Sequence, residues 1–457
     1  MRILIIGCGK VGRTLAHRLV AEKHDVSVID TNSSVLTQLG NTLDVIGYEG
    51  NGASYLTLRE AGAENADLVV AATSSDELNL ICCLTAHKLG TRHTVARVRT
   101  PEYADQLYFL KDDLGLSISV NPELATAQEI ARNLRFPSAA KVETFVKGRV
   151  ELVGFRIPEG SPLVGAALSS LPQQFGTRVL ICAVERDGDV FIPGGSSVLH
   201  ENDILYVTGA TNAIAQMFKK LRLLSDRAKE VIIAGGGRVS YYLASILERS
   251  GIRVKIIEND EERAQELIET LPGNVSVLLG DAYDHELLME EGIRNADAFV
   301  ALTGLDEGNI LASMFAGDCG ARKVITKVNN TNLVSLIHDD RLDSVVSPRD
   351  IAANHIVAYV RAIENASAPE TGSVESLTRI AGGKAEVLEF FAPAEGSFIN
   401  VPLKDLRLKK GILIACIVRG NKPLIPGGDD FIGPRDGVLV VTKDQRLTNL
   451  SDILAES

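Results

Sequence analysis

Apolar and polar positions along this chain follow two rhythms. Residues 3–6 are an uninterrupted apolar run, as expected of a strand buried on both faces. A glycine-rich turn follows. Residues 11–23 then place Val11, Leu15, Leu19 and Val20 at helical spacing. The alternation continues, predicting strands over 26–29, 44–46, 68–72 and 94–98 and helices over 33–41, 55–61 and 76–88. Strands alternating with helices at this spacing imply a parallel sheet covered on both faces, the doubly wound nucleotide-binding architecture. A helical stretch over 122–134 comes next, with proline at an opening position where no backbone donor is needed. The rhythm then changes. Short β-rich runs at 150–156, 178–185, 190–193 and 203–207 are divided by turns at 158–161, 186–189 and 193–195. They read as a small α+β lobe of about 70–85 residues.

The whole pattern occurs twice. Gly7-Cys8-Gly9-Lys10-Val11-Gly12 meets Gly235-Gly236-Gly237-Arg238-Val239-Ser240, with Gly7 and Gly235 228 positions apart. Val28-Ile-Asp30 meets Ile256-Ile-Glu258 at the same offset. The runs starting at Ala66 and Ala296, and those starting at Asp76 and Asp306, meet at 230, as do Arg97 and Lys327. Near the ends, Pro193-Gly-Gly195 and Asp203 meet Pro426-Gly-Gly428 and Asp436 at 233. Ordered matches whose offset drifts by a few residues are the mark of a duplication with small loop insertions. The expected fold class is α/β, a duplicated doubly wound Rossmann domain with each copy followed by a small α+β lobe. The expected division is a first Rossmann lobe over 1–120, a crossover helix over 121–141 and a small lobe over 142–225. The second copy runs as a Rossmann lobe over 228–346, a crossover helix over 347–368 and a small lobe over 375–457. The charged, apolar-poor stretch 221–229 is the expected link.

Composition narrows the function. With 47 basic and 59 acidic residues the net charge is −12, against a general nucleic-acid binder. No run approaches the roughly 18 apolar residues of a membrane span. The opening residues lose their apolar character after five positions, too soon for a signal peptide, so a cytoplasmic chain starting at Met1 is expected. The six cysteines show no CxxC spacing and are expected to be buried free thiols rather than disulfides or zinc ligands. The eight histidines show no HExxH spacing, and there is no P-loop and no Ser-His-Asp order.

The glycine turns carry the candidate chemistry. Gly7, Gly9 and Gly12 follow a strand and open a helix, and Asp30 ends the next strand. Gly7 allows the tight turn, Gly9 lets a pyrophosphate approach the backbone, and Gly12 lets helix and strand pack closely. Phosphate would lie on unpaired N–H groups at the positive helix end, around Cys8, Lys10 and Val11. Asp30 would accept ribose hydroxyls and repel a 2′-phosphate, favouring NAD(H); the alternative is a turn kept for packing alone. In the second copy Gly235, Gly236, Gly237, Arg238, Val239 and Glu258 take these places. Ser240 replaces the third glycine, which should push helix and strand slightly apart, and a copy that has lost its ligand stays open. Thr73 and Ser74, with Thr303 and Gly304, end the fourth strands, where a hydroxyl reaches ribose or phosphate. Asn51, Gly52 and Asp281 follow the third strands, placed for the adenosine side or for plain turn chemistry. Arg97 and Lys327 end the fifth strands, where a cation neutralises phosphate or makes an ion pair.

These residues resemble a known family. Two Rossmann units, each with a small β-rich lobe, are similar to tandem RCK modules (regulators of potassium conductance). Thr73-Ser-Ser-Asp76-Glu-Leu-Asn79 and Thr303-Gly-Leu-Asp306-Glu-Gly-Asn309 match that family's T-x-x-D-E-x-N, and Gly280-Asp281-Ala282 matches too. The resemblance covers essentially the whole chain; Ser240 and Asn51 depart from the family pattern. It implies a non-enzymatic, peripheral cytosolic subunit beneath a separate integral-membrane potassium channel subunit of the Trk/Ktr type. Such a subunit binds NAD(H), or ATP/ADP at the same site, and forms a homodimeric or homotetrameric ring through its Rossmann lobes and crossover helices. The competing reading is an NAD-dependent oxidoreductase, which would need a substrate domain where this chain has a second Rossmann copy.

Overall fold

The computed structural model describes residues 1–134, 141–146, 149–171, 179–221, 228–330, 333, 342, 344–365, 372–420, 422–443 and 446–455. Most of the expected 221–229 link, and the ends of both expected crossover stretches, lie outside these.

The chain divides into two compact units. The first holds residues 1–127 with 329–334 and 347–357. Its sheet is made of β1 (Arg2–Ile6), β2 (Asp25–Asp30), β3 (Ile46–Glu49), β4 (Leu68–Ala71), β5 (His93–Arg97) and β6 (Ile118–Val120). All neighbours run parallel, in the order β3-β2-β1-β4-β5-β6. Helices α1 (Lys10–Ala21), α2 (Ser33–Gly40), α3 (Tyr55–Glu60), α4 (Asp76–Leu89) and α5 (Pro101–Leu110) connect the strands. Ile3, Leu4, Ile5 and Ile6 are all buried, each contributing roughly 1.5–3 kcal/mol, which explains why this strand reads as an unbroken apolar run. The strand order reverses between β1 and β4, and the crevice outside their carboxyl ends is the ligand position in such sheets.

The second unit holds residues 128–328, 335–346 and 358–457. α6 (Pro122–Asn133) leads into it. A five-stranded antiparallel sheet follows, made of β7 (Lys141–Phe145), β8 (Val150–Arg156), β9 (Val179–Arg186), β10 (Asp189–Phe191) and β11 (Ile204–Ala210), backed by α7 (Thr211–Lys220). The second Rossmann lobe runs β12 (Glu230–Ala234), α8 (Arg238–Arg249), β13 (Arg253–Glu258), α9 (Glu261–Thr270), β14 (Val275–Leu279), α10 (His285–Glu290), β15 (Ala298–Ala301), α11 (Asp306–Asp318), β16 (Val324–Lys327) and β17 (Ser344–Val346). Its order, β14-β13-β12-β15-β16-β17, repeats that of the first lobe. After α12 (Pro348–Asn365) the second small sheet forms from β18 (Ser373–Ile380), β19 (Ala385–Phe391), β20 (Ile412–Arg419), β21 (Lys422–Leu424) and β22 (Gly437–Lys443). Its order, β18-β19-β22-β20-β21, matches β7-β8-β11-β9-β10 strand for strand. The duplication is therefore one of topology as well as sequence.

The two small sheets share a core in which Phe145, Leu152 and Cys182 of one meet Val387, Cys416 and Leu439 of the other. Buried Tyr206 donates to Glu185 at 3.2 Å and accepts from the Ala381 amide at 3.1 Å. Within the first unit, Arg18 on α1 donates to the Asp350 carbonyl at 3.1 Å and pairs with the Asp350 carboxylate and the Asn354 side chain, all on α12.

Several elements differ from the sequence expectation. The third strand is Ile46–Glu49, not 44–46: three of its four residues are exposed, so it carries no apolar signal. β6, β17 and α5 extend each Rossmann lobe beyond five strands or fill a stretch left unassigned. β7 begins at Lys141, where the sequence still reads as crossover helix, and β18 was not anticipated. Five cysteines are buried free thiols, but Cys319 is only half-buried. Among the described residues, no helix is long and apolar enough to cross a membrane.

Candidate functional site

The site of the first lobe is built on the turn from β1 to α1. Gly7 has φ +92°, and a Cβ there would lie 2.9 Å from the backbone of Thr73, so the turn is pressed against the end of β4. A Cβ on Gly12 would lie 1.9 Å from the Gly7 carbonyl oxygen, so helix and turn are in contact. Gly9 is different. Nothing lies within 4 Å of where its Cβ would be, so the space over it is open. Gly9 caps α1 without a side-chain hydrogen bond, and the first turn has no acidic residue. Lys10 is exposed there and Val11 buried. This is an uncapped, positively biased helix end facing free space, suited to an anion.

Asp30 closes the other side. Its carboxylate accepts from the Cys8 amide at 2.6 Å and the Asn32 amide at 2.9 Å. The Cys8 thiol is pushed up to about 12 by burial and by the neighbouring Asp30 charge, so it stays protonated at neutral pH.

The second lobe repeats the arrangement. Gly235 has φ +94° and backs onto Thr303, and the space over Gly237 is open. Glu258 accepts from the Gly236 amide at 2.5 Å and from the Asn259 and Asp260 amides at 2.8 and 2.9 Å. Exposed Arg238 and buried Val239 occupy the places of Lys10 and Val11. Ser240 is fully buried, and its hydroxyl donates to the Gly235 carbonyl at 2.5 Å. Arg263 Nε donates to the Gly236 carbonyl at 2.8 Å, where in the first lobe Arg13 Nε meets the Cys8 carbonyl at 2.9 Å.

The remaining candidates sort into distinct settings. Asn51 and Asp281 are exposed and accept from the amides two residues on, Ala53 and Tyr283, at 3.0 and 2.9 Å. Those oxygens are thus engaged in turn chemistry. Gly52 is dictated by packing, since a Cβ there would lie 2.1 Å from Ile6. Ser74 and Gly304 are exposed beside the crevice. Arg97 pairs at 2.9 Å with Glu123 on α6, tying the end of β5 to the crossover helix. Lys327 donates to the Leu302 carbonyl at 2.9 Å.

Three buried side chains organise the crevices yet were not singled out as site residues in the sequence. Asn79, fully buried on α4, accepts from the Thr73 amide and hydroxyl at 2.8 and 2.7 Å and donates to the Arg97 carbonyl at 2.8 Å. Asn309 repeats this with Thr303 and Lys327. Asp76 accepts from the Arg99 and Thr100 amides at 2.8 Å each. Burial acts to raise its pKa, but these amides, the Thr100 hydroxyl and the Arg99 guanidinium outweigh that and hold it below the usual carboxylate range. The signal was present in the T-x-x-D-E-x-N motif, whose Asp and Asn are the two residues that lock the ends of β4 and β5 together.

Family models match across both copies. The TrkA-N domain matches residues 3–121 and 231–348, and the TrkA-C domain residues 152–222 and 387–455. The Trk system potassium uptake protein TrkA homolog of Archaeoglobus fulgidus is 36% identical over 99% of this chain and 100% of its own length. The TrkA proteins of Halomonas elongata and Haemophilus influenzae are 34% and 33% identical, each over 98% of this chain and 96% of their own. Among solved structures, the GsuK channel bound to NAD has a TM-score of 0.63 at 20% identity, covering 97% of this chain and 77% of that one. The GsuK RCK domain gives 0.62 at 19%, covering 97% and 92%. These two establish likeness of fold. With both domain types matched twice, in order and over nearly the full length, the chain belongs to the TrkA family of Trk system potassium uptake proteins.

Proposed function

We propose that this chain is a peripheral, cytosolic regulatory subunit that binds NAD(H), or ATP/ADP at the same site, and gates a separate integral-membrane potassium channel subunit of the Trk/Ktr type. The observation that carries the reading is the pair of open, uncapped helix starts at Gly9 and Gly237, each beside a strand-end carboxylate. One side of each turn is filled by protein backbone and the other is empty, as pyrophosphate binding requires. The relatives' names support the potassium-uptake role, and the NAD bound by GsuK, a protein of the same fold, supports the ligand class.

The chain forms a homo-oligomeric ring, dimer or tetramer, and the signal is conformational rather than chemical. A nucleotide shifts the ring only as far as its affinity differs between the two states of the ring. The duplicated fold gives two crevices per chain and puts a second Rossmann lobe where a dehydrogenase would carry its substrate domain, which favours regulation over hydride transfer. The test is potassium flux through the reconstituted channel subunit with and without this chain. NADH and ATP should change flux in opposite or unequal measure with wild-type chain, and not with a variant carrying both Gly9→Glu and Gly237→Glu, which puts a bulky anion over each turn. Identical flux with both chains at saturating nucleotide would sink the reading.

A further inference from the structure

The two crevices differ at one place that the duplication makes visible. Tyr283 stands where the first lobe has Ala53, and Gly308 where it has Leu78, both pairs 230 positions apart. The Tyr283 hydroxyl lies 2.5 Å from Thr303 Oγ1. The ring rests against the first turn of α11, where a Cβ on Gly308 would lie 2.4 Å from the hydroxyl oxygen and 2.5 Å from Cζ. Large and small residues have thus been exchanged between loop and helix. Ala53 and Leu78 pack on the first lobe's core, and Tyr283 packs on the second's. The exchange brings a polar hydroxyl to the residue against which the Gly235 turn is pressed.

Counting protons fixes the direction of this bond. Asn309 Nδ2 donates to the Thr303 and Lys327 carbonyls at 3.2 and 3.0 Å, which leaves Oδ1 as the acceptor. Oδ1 takes the Thr303 amide at 2.9 Å and the Thr303 hydroxyl proton at 2.7 Å. The Thr303 oxygen, having given away its one proton, can only accept. It does so from the Leu305 amide at 3.3 Å and from Tyr283, so its acceptor capacity is full. In the first lobe Thr73 likewise gives its proton to Asn79, at 2.7 Å, and accepts from the Ser75 amide at 3.3 Å. Alanine at 53 offers no third partner. Thr73 therefore keeps a lone pair at the crevice that Thr303 has lost.

Resting on the reading that both glycine turns face nucleotide, we infer that Tyr283 is a specificity-determining residue that closes the second crevice. Its hydroxyl takes the acceptor that a nucleotide hydroxyl meets in the first lobe, and its ring occupies the space beside it. The two halves of the chain are then unequal: the first takes adenine nucleotide tightly and the second weakly. A hydrogen bond to be displaced, together with a ring to be moved, corresponds to roughly tenfold or more in affinity.

Calorimetric titration of the full-length chain with NADH and, separately, ATP tests this. Wild type should show one tight site per chain and a second at least tenfold weaker. Tyr283→Phe, nearly isosteric, should strengthen the second site severalfold, and Tyr283→Ala should bring it close to the first. Ala53→Tyr with Leu78→Gly should weaken the first site about tenfold. An Asp30→Ala chain reports on the first site alone: if it weakens the tight site about tenfold and leaves the weak one unmoved, nucleotide binding at the glycine turns stands. With that established, two equal wild-type sites, or a second site unmoved in both Tyr283 variants, would overturn the closure. A second site weakened in Tyr283→Ala would overturn it too, making the ring a stacking platform instead. No binding in wild type or any variant would overturn the nucleotide reading itself and the closure with it.

Discussion

Ser240 donates its hydroxyl to the Gly235 carbonyl at 2.5 Å, in the place where a Cβ on Gly12 would lie 1.9 Å from the Gly7 carbonyl. The first-lobe backbone therefore excludes any side chain at this point, while the second holds Ser240 there, fully buried, with its hydroxyl on the Gly235 carbonyl. Two copies of one turn have reached different solutions to the same contact.

This difference predicts opposite outcomes for exchange. Gly12→Ala should destabilise the first lobe by about 1–3 kcal/mol through overpacking and weaken its nucleotide site. Ser240→Ala, which keeps the Cβ and loses the hydroxyl, should cost about 1 kcal/mol because the Gly235 carbonyl loses a buried partner. Thermal midpoints of the two variants, with titrations of each, check this. Equal tolerance of alanine at both positions would contradict the packing account.

Asp30 is already engaged by the Cys8 and Asn32 amides, so a ribose must share its carboxylate with them. The net loss in Asp30→Ala is therefore smaller than two fresh charged hydrogen bonds would give. About a tenfold weakening of NADH is expected, with Asp30→Asn in between. Calorimetry on both variants decides, and unchanged affinity in Asp30→Ala would remove the ribose assignment.

Arg97 reaches phosphate only by exchanging partners, because its guanidinium is held by Glu123. ATP carries a further anionic phosphate where NAD⁺ has a ribose and nicotinamide. Arg97→Ala should therefore weaken ATP more than NAD⁺, and Glu123→Gln, which frees the guanidinium, should strengthen ATP more. Paired titrations of both ligands against the two variants check the effect. Equal changes for ATP and NAD⁺ would mean Arg97 is only a tie between β5 and α6.

Asp76 has its folded pKa held below the unfolded value of about 3.9. A depressed carboxylate contributes stability that is fully present above the unfolded value and is lost as pH falls through the folded one. Asp76→Asn should thus lower the thermal midpoint at pH 6, by several degrees for a loss of about 2 kcal/mol. The gap from wild type should narrow as pH drops below about 4. A midpoint difference that stays constant from pH 6 to pH 2 would show that the charge is not what holds the Arg99 and Thr100 amides.

The sequence by itself determined the architecture. Unbroken apolar strands such as 3–6, amphipathic helices, glycines at 7, 9 and 12 and the acidic ends at Asp30 and Glu258 are local features, and ordered matches between copies at a slowly drifting offset need no coordinates. Burial on both faces of a parallel sheet imposes a pattern on neighbouring residues, so it can be read along the chain. The exposed third strand, β6, β17 and the outer strands β7 and β18 left little such pattern and were shifted or missed. Only the tertiary structure decided what each polar side chain does. Asn79 joins the ends of β4 and β5 and Arg97 is held by a helix 26 positions on, at Glu123. Tyr283 spends its hydroxyl on Thr303, 20 positions away. A hydrogen bond has a reach of about 3 Å, so its partner is set by strand register and helix placement, not by spacing in the sequence. The repeat showed that there are two turns of one kind; the packing of Tyr283 against Gly308 made them unequal.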